Sequence, residues 1–277
     1  MSLLLLDLGN THTHAALARG ARLGRPVDVP TRGWRDGEAP HALQAWLGAR
    51  RPSAAAFCSV VPPVDDAVRR WLRREFGLRA FELSAATVRG LTVDYPRPAT
   101  IGADRLANAV AARHHFGAPV LVVDFGTAVT FDIVDRRGAY VGGVIAPGLG
   151  AMTDYLHEKT ALLPRIRLRD VKSPIGRSTE EAMRVGAVHG YRGLVRELIR
   201  ELRAELRARR LPVVATGGYA SLMARGLPAI TAVRPALTLE GLRLAAQRCA
   251  SGTAGRRVPR LSGNTGDPPD AGPGRDG

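Results

Sequence analysis

A short motif occurs twice in this chain, each time directly after an apolar run. Asp7-Leu8-Gly9-Asn10-Thr11 follows Leu3-Leu4-Leu5-Leu6, and Asp124-Phe125-Gly126-Thr127 follows Val120-Leu121-Val122-Val123. Each copy reads as a buried strand that runs into a tight, polar turn containing glycine. An aspartate at such a strand end can meet a phosphate through a metal ion. Glycine lets the backbone approach the phosphate, and the threonine hydroxyl and nearby backbone N–H groups donate to its oxygens. One copy alone would be an ordinary Asp-x-Gly turn. Two copies in matching strand contexts, about 117 residues apart, imply two related half-molecules closing on one nucleotide.

Composition narrows the choice of partner. The 277 residues suffice for one large or two ordinary domains, and a hydrophobic content of 45% supports a core. A formal charge of +15 suits nucleic acid or acidic membranes. The basic residues are dispersed arginines, with lysine only at Lys159 and Lys172. Between Arg196 and Arg210, Glu197, Glu201 and Glu205 intervene at helical spacing, as on a solvated helix face. Nucleic acid is therefore not the expected partner. Cys58 and Cys249 give neither metal-ligand spacing nor a disulfide framework. The opening apolar run lacks a basic start and ends at Asp7, unlike a signal peptide, and no run is long enough for a transmembrane helix. The expectation is a cytoplasmic protein without membrane attachment.

The pattern along the chain is α/β. Residues 3–8 read as a strand, with 15–18 as its meander partner. A helix is expected over 40–50 with Pro40 at its first position, a strand over 54–60, and a helix over 64–76 after Pro62-Pro63. Residues 97–100 read as a loop and 103–116 as an Ala- and Arg-rich helix, and Gly117-Ala118-Pro119 breaks the chain. The second half repeats the plan. Strands are expected at 120–123, 128–134 and 140–145, then a helix over 152–156 and helical stretches over 178–206 with Thr179 as a candidate N-cap. A strand at 213–215 enters Thr216-Gly217-Gly218, and a last helix covers 239–249. This gives an N-terminal domain over 1–117, a C-terminal domain over 118–250 and a disordered tail over 251–277, where glycine, proline and charged residues dominate.

Three glycine-bearing turns after three strands resemble the actin-like ATPase and sugar-kinase superfamily, in which two ribonuclease-H-like domains supply two phosphate turns and one adenosine turn. The whole chain is more closely similar to type III pantothenate kinases. The resemblance rests on the Asp7–Thr11 motif, Gly102-Ala103-Asp104-Arg105, Asp124-Phe125-Gly126-Thr127-Ala128, and Gly142 through Gly148. It extends to Thr160–Pro164, Thr179-Glu180-Glu181-Ala182, Ala215–Gly218 and Leu237–Leu242, all in family order over about residues 3–250. It implies transfer of the ATP γ-phosphate to the primary hydroxyl of pantothenate, the first step of coenzyme A synthesis.

On the residues alone, Asp104 is equally a general base or a helix cap bonded to its neighbour. The resemblance implies the base. It also implies a pantothenate site from Tyr95, Gly102, Ala103, Asp104, Arg105 and Thr179. The bland alternatives are a surface helix arginine for Arg105, a buried loop aromatic for Tyr95 and a plain N-cap for Thr179. In the family the matching threonine reaches the neighbouring subunit's pantothenate, which implies a homodimer. ATP, with Mg²⁺, falls to Asp7, Leu8, Gly9, Asn10, Thr11, His12, Thr13, His14 and Thr127. On this resemblance Asp7, rather than Asp124, is expected to face the metal-bound phosphates, through water. Asp124 matches a monovalent-cation site for K⁺ or NH₄⁺; a turn-stabilising carboxylate is its ordinary alternative.

One departure stands out. After Asn10-Thr11 the family usually carries Asn, an aliphatic residue and Lys; this chain has His12, Thr13 and His14. His14 replaces a fixed charge with an imidazole, whose ordinary pKa is about 6.5. His12 and His14 share a strand face, but no third metal ligand is evident. Two competing functions remain: a regulatory protein on the same scaffold, and a kinase of the superfamily acting on a sugar or acyl acid. The intact set of Asp104, Arg105, Asp124 and Thr127 speaks against the first, and Tyr95 together with Gly102–Arg105 against the second.

Overall fold

The computed structural model describes residues 2–254. The first half runs β1 (Ser2–Leu8), β2 (His12–Arg19), β3 (Arg22–Leu23), β4 (Val27–Pro30), α1 (Gly33–Asp36), α2 (Glu38–Leu47), β5 (Ala54–Ser59), α3 (Pro62–Phe76) and β6 (Phe81–Glu82). There follow β7 (Thr92–Val93), a 3₁₀ turn over Pro98–Thr100 and α4 (Ala103–Phe116). The second half runs β8 (Val120–Phe125), β9 (Ala128–Val134), β10 (Ala139–Pro147), α5 (Leu149–Lys159), α6 (Thr179–Val185), a π-helical turn over Gly186–Gly190 and α7 (Tyr191–Glu205). It closes with β11 (Val213–Thr216), α8 (Ala220–Ala224), β12 (Ala232–Val233) and α9 (Leu237–Ala254).

The duplication seen in the sequence is a duplication of topology. One sheet has the order β3-β2-β1-β5-β6, with β4 also on β2. The other has the order β12-β11-β8-β9-β10-β7. In each, the strand that ends in the Asp-x-Gly turn is central. β1 lies antiparallel to β2 and parallel to β5, and β8 lies antiparallel to β9 and parallel to β11. Central strands are covered on both faces, which is why both read as unbroken apolar runs.

The two-residue period of a strand then decides where each aspartate points. On β1, Leu4, Leu6 and Leu8 pack outward with Trp34, Leu43, Trp71 and Leu72, while Leu3 and Leu5 face inward. On β8, Leu121, Val123 and Phe125 pack outward against Tyr191, Val195 and Ile199, while Val120 and Val122 face inward. Asp7 shares the parity of Leu3 and Leu5, and Asp124 that of Val120 and Val122. Both aspartates therefore face the space between the sheets.

That space is filled by α4 and α9, which join the inner faces of both sheets in one core. α4 packs on β8 and β9 of the second sheet, although it precedes them in the chain. α9 packs on β1, β2 and β5 of the first. The helices approach closely because small residues meet: a Cβ built on Gly241 would lie 1.8 Å from the carbonyl oxygen of Ala107.

Some expectations shift at their edges. Pro40 is the third residue of α2, which starts at Glu38 after Gly37 in a left-handed conformation. Pro62 opens α3 rather than only ending the strand. Thr179 is not the N-cap of α6. Ser178 is: its hydroxyl accepts the Glu181 N–H at 3.2 Å, and the Glu181 carboxylate accepts the Arg177 N–H at 2.8 Å. The acid three residues after Ser178 ties the entering chain to the first turn, a variant of the capping box in which it accepts from the residue before the cap. The last helix runs to Ala254, so the expected tail begins four residues too early; its remainder lies outside the described residues. No helix among the described residues is long and apolar enough to cross a membrane.

Gly241→Ala tests the helix contact. Overpacking of this kind costs about 1–3 kcal/mol, so the urea midpoint should fall with an unchanged m-value. A wild-type midpoint would show that the helices part at no cost.

Candidate active site

The two Asp-Gly turns meet directly. Thr11 Oγ1 and Thr127 Oγ1 lie 3.2 Å apart, both exposed. Both turns are closed by their glycine N–H, Gly9 donating to His12 O three residues on and Gly126 to Ala128 O two residues on, each at 3.1 Å. Asn10 and Thr11 are left exposed at the first turn. Gly148 lets β10 and α5 pass behind the second turn, since a Cβ there would lie 2.1 Å from Thr127 O. The third glycine turn packs against the second. Gly217 has a φ of +87°, and a Cβ on it would lie 2.4 Å from Asp124 Oδ1, while Gly218 opens onto free space.

Not every residue assigned to ATP from the sequence offers its side chain to this mouth. Leu8 and Thr13 are fully buried. Thr13 Oγ1 meets Thr31 Oγ1 at 3.1 Å and accepts from Trp34 Nε1 at 3.0 Å, and Thr31 in turn donates to Gly9 O at 2.7 Å. Thr13 thus braces the first turn from behind. His12 is exposed, and His14 Nδ1 lies 2.7 Å from Asp28 Oδ1 on β4.

Three carboxylates converge behind the turns. Asp7, only 9% exposed, has its pKa pushed up to about 7, first by burial, then by Asp104; His14 opposes this and Asp124 adds to it. Cys58 Sγ donates to Asp7 Oδ1 at 3.4 Å. Asp124 is pushed up to about 6, first by burial and opposed by the hydrogen bond from Asn108 Nδ2 at 2.9 Å. Asp104 is raised by burial, against the Arg105 N–H that its Oδ1 accepts at 2.7 Å. It stands in the first turn of α4, where Gly102 leaves it room: a Cβ on Gly102 would lie 2.5 Å from Asp104 Oδ1.

Arg105 is held by its neighbours. Its Nε donates to Asp132 Oδ1 at 2.6 Å and its Nη2 to Phe131 O at 3.3 Å, and its guanidinium stands 5.9 Å from the Tyr140 ring centre. Nη1 keeps its N–H groups for another acceptor. Asp132 is fully buried and also accepts from Tyr140 Oη at 3.1 Å. Burial pushes its carboxyl up and Arg105 pulls it back. Tyr95 stacks edge-on with Tyr140 at 6.3 Å between centres and lies over Gly142. Thr179 is exposed at the start of α6, and no hydrogen bond among the described residues ties it to the carboxylates.

Sequence reasoning missed Asn108, Asp132, Tyr140 and Thr238. Asn108 is fully buried, donates to Asp124, and accepts from Thr238 Oγ1 of α9 at 2.9 Å. Its signal was the spacing of four from Asp104, which stacks the two side chains on one helix face. Asp132 was visible as a lone acid inside an apolar strand, where a charge needs a partner.

No group of three or more His, Cys, Asp or Glu among the described residues is arranged to hold a metal alone. The acids nevertheless suit a cation whose other ligands are phosphate and water. They are buried and mutually repelling, and their carboxyls are raised where no cation neutralises them.

A profile of the type III pantothenate kinase family matches residues 3–201. A type III pantothenate kinase from Akkermansia muciniphila is 49% identical over 247 residues, covering 89% of this chain and 98% of the relative. The chain belongs to the type III pantothenate kinase family. A second member, from Methylacidiphilum infernorum, is 41% identical over 87% of each chain. Among solved structures, a protein described as a Baf family transcriptional activator from Campylobacter jejuni superposes with a TM-score of 0.54 at 16% identity, covering 90% of this chain and 99% of the other. The activator of 2-hydroxyisocaproyl-CoA dehydratase from Clostridium difficile, with bound ADPNP, gives 0.52 at 12% identity, covering 95% and 100%. These likenesses bear on the fold alone, which is that of the actin-like ATPases and sugar kinases.

The raised carboxyls fix the sign of a pH effect. Between the unfolded pKa of 3.8 and folded values of about 6 and 7, the native state holds more protons than the unfolded one. Stability from these groups is thus highest in acid and falls as pH rises through that window, by up to about 1.4 kcal/mol per pH unit per group. Asp7→Asn should flatten the fall of unfolding free energy between about pH 4 and 7, in buffer free of nucleotide and magnesium. Parallel curves for the two proteins would contradict the raised Asp7.

Proposed function

We propose that this member of the family transfers the γ-phosphoryl group of ATP to the primary hydroxyl of pantothenate, giving 4'-phosphopantothenate and ADP at the entry to coenzyme A synthesis. One observation carries the site assignment: the paired turns touch at Thr11 and Thr127, with Asp104 facing Asp7 and Asp124 behind them. Asn10, Thr11 and Thr127 donate to the phosphate oxygens, and Gly217-Gly218 lie along the adenosine. Asp104 accepts the proton of the attacking hydroxyl; its burial raises its affinity for that proton. Arg105 presents Nη1 to the pantothenate amide or carboxylate, its direction set by Asp132. Tyr95, Gly102 and Ala103 form the wall of that pocket. Asp7 would hold Mg²⁺ through water and Asp124 a monovalent cation. Such ions supply charge neutralisation to the transferring phosphoryl group. We place the enzyme in the cytoplasm, where ATP is supplied.

Asp104→Asn should keep the fold and pantothenate binding and lower kcat by about 10² or more, in an assay coupling ADP release to pantothenate. Near wild-type turnover would remove Asp104 from the role of base, and no pantothenate-dependent ADP release by the native chain would remove the function. The cation assignment predicts little turnover in sodium buffer and recovery on adding potassium or ammonium; equal rates would exclude it.

We further infer a homodimer with shared sites. Of the apolar residues around Thr179, Ala187 and Val188 are buried in their own core and Met183 is buried too, while Ala182 is exposed. The support lies beside it. Ile145, Met152, Tyr155, Leu156, Leu162 and Ile175 are exposed, with Leu162 at 90% and Ile175 at 72%, large apolar side chains that a subunit interface would cover. Mixing Asp104→Asn and Thr179→Arg subunits should restore part of the activity, since one site of the heterodimer then carries both native residues. Confirmed exchange without recovery would refute shared sites.

A further inference from the structure

At the opposite end of α4 from Asp104, about 14 Å along the helix, a cavity of about 400 Å³ is lined by Gly90, Arg113, His114 and Arg248. Arg113 Nη1, from the last turn of α4, donates to Gly90 O at 2.6 Å. Arg248 Nη1, from α9, donates to the same oxygen at 3.2 Å. Gly90 makes this possible. It has a φ of +77°, and a Cβ on it would lie 1.9 Å from Arg248 Nη1. Two guanidinium groups from different helices thus converge on one neutral acceptor.

The surroundings do not neutralise them. Neither Arg113 nor Arg248 has a carboxylate partner among the described residues. Glu240, the acid that acts on His114, is already bound by His115 Nε2 at 2.7 Å and Arg234 Nη2 at 3.0 Å. Arg243, five residues before Arg248 on α9, is only 6% exposed; its Nε has no partner and its Nη1 meets the neutral Gln247 Oε1 at 2.8 Å. Burial first, then His115, Arg248 and Arg243, lower the pKa of His114. Cations at the end of α4 complement its dipole. That accounts for Arg113 and His114, but not for Arg248 and a buried Arg243 brought in from α9. Like charges so placed repel, and a bound anion relieves them.

We propose that this cavity is a second anion site that takes a small phosphate-bearing ligand of at least two negative charges, such as a diphosphate group, between Arg113, Arg248 and His114. Guanidinium forks match phosphate oxygens in pairs. The volume is that of a small-molecule site. It is separate from the ATP mouth, which lies at the other end of the same helix.

The test must not read the active site, which also binds phosphates. The imidazole signal of His114, assigned by its loss in His114→Gln, is followed by NMR in the full chain at constant ionic strength and pH. Pyrophosphate, inorganic phosphate and chloride are the probes. Pyrophosphate should shift the signal saturably with half-saturation below about 1 mM, phosphate more weakly and chloride not at all. Arg113→Gln/Arg248→Gln should raise the half-saturation at least about tenfold, while pantothenate turnover and the amide spectrum stay native. If the double variant does not fold, Arg248→Gln alone serves, with a loss of the same sign. A shift that never saturates, or one that saturates equally in the variant, overturns the proposal.

Discussion

Everything at the site depends on the contact between α4 and α9. Each helix closes one repeat and packs beneath the sheet of the other. Their approach requires Gly241 against Ala107, and α4 is buried on most of its circumference, which its run of alanines permits without bulk. This contact makes one core of what would otherwise be two. It also sets the place of Asp104, because the first turn of α4 is aimed by the rest of the helix. Asn108 extends the coupling: it joins Asp124 on β8 to Thr238 on α9 through two hydrogen bonds of 2.9 Å. The two repeats therefore present their turns in fixed relation.

The buried acids fall into two kinds. Asp132 has its counter-charge in the chain, in Arg105, and further donors in Tyr140 and Thr130. Removing either partner of such a pair strands a buried charge, so its role is to fix the guanidinium. Asp7, Asp104 and Asp124 have no counter-ion of that quality. They face one another, and burial raises all three. A fold retains such a cluster at the expense of stability when something outside the chain neutralises it. The difference between paired and unpaired acids is what supports the proposed division between a positioning acid, Asp132, and the acids of the reaction site.

Much of this was legible in the sequence, for definite reasons. The central strands announced themselves because burial on both faces leaves no polar alternation. The Asp-Gly turns followed because glycine and polar residues must stand where the backbone meets a ligand. The span of α4 was readable from its alanines and the glycine after it. What escaped were relations between distant elements. No local pattern tells that α9 would lie under the first sheet, or that Thr13, six residues after Asp7, would turn away from the mouth to Trp34. The capping residue of α6 was missed by one position, although the acid three residues beyond Ser178 marked it. Asn108 and Asp132 are polar residues in apolar settings, and their partners lie on other elements.

The replacement of the family's lysine by His14 takes on a definite shape in this setting. His14 pairs with Asp7 across β1 and β2 and with Asp28 across β2 and β4. Its Nδ1 is committed to Asp28 at 2.7 Å. Only the Nε2 edge is left for a further partner, which in the proposed ATP site would be a phosphate oxygen. A lysine ammonium would place three mobile donors and a full charge at that point. The histidine gives one directed donor, oriented from behind by a carboxylate. Arg105 is treated in the same way, with Asp132 behind it and Nη1 in front. Each donor thus has its direction set by an acid from a neighbouring strand, Asp28 on β4 for His14 and Asp132 on β9 for Arg105; in the proposed reaction, direction would replace charge as the means of holding the reactants in line.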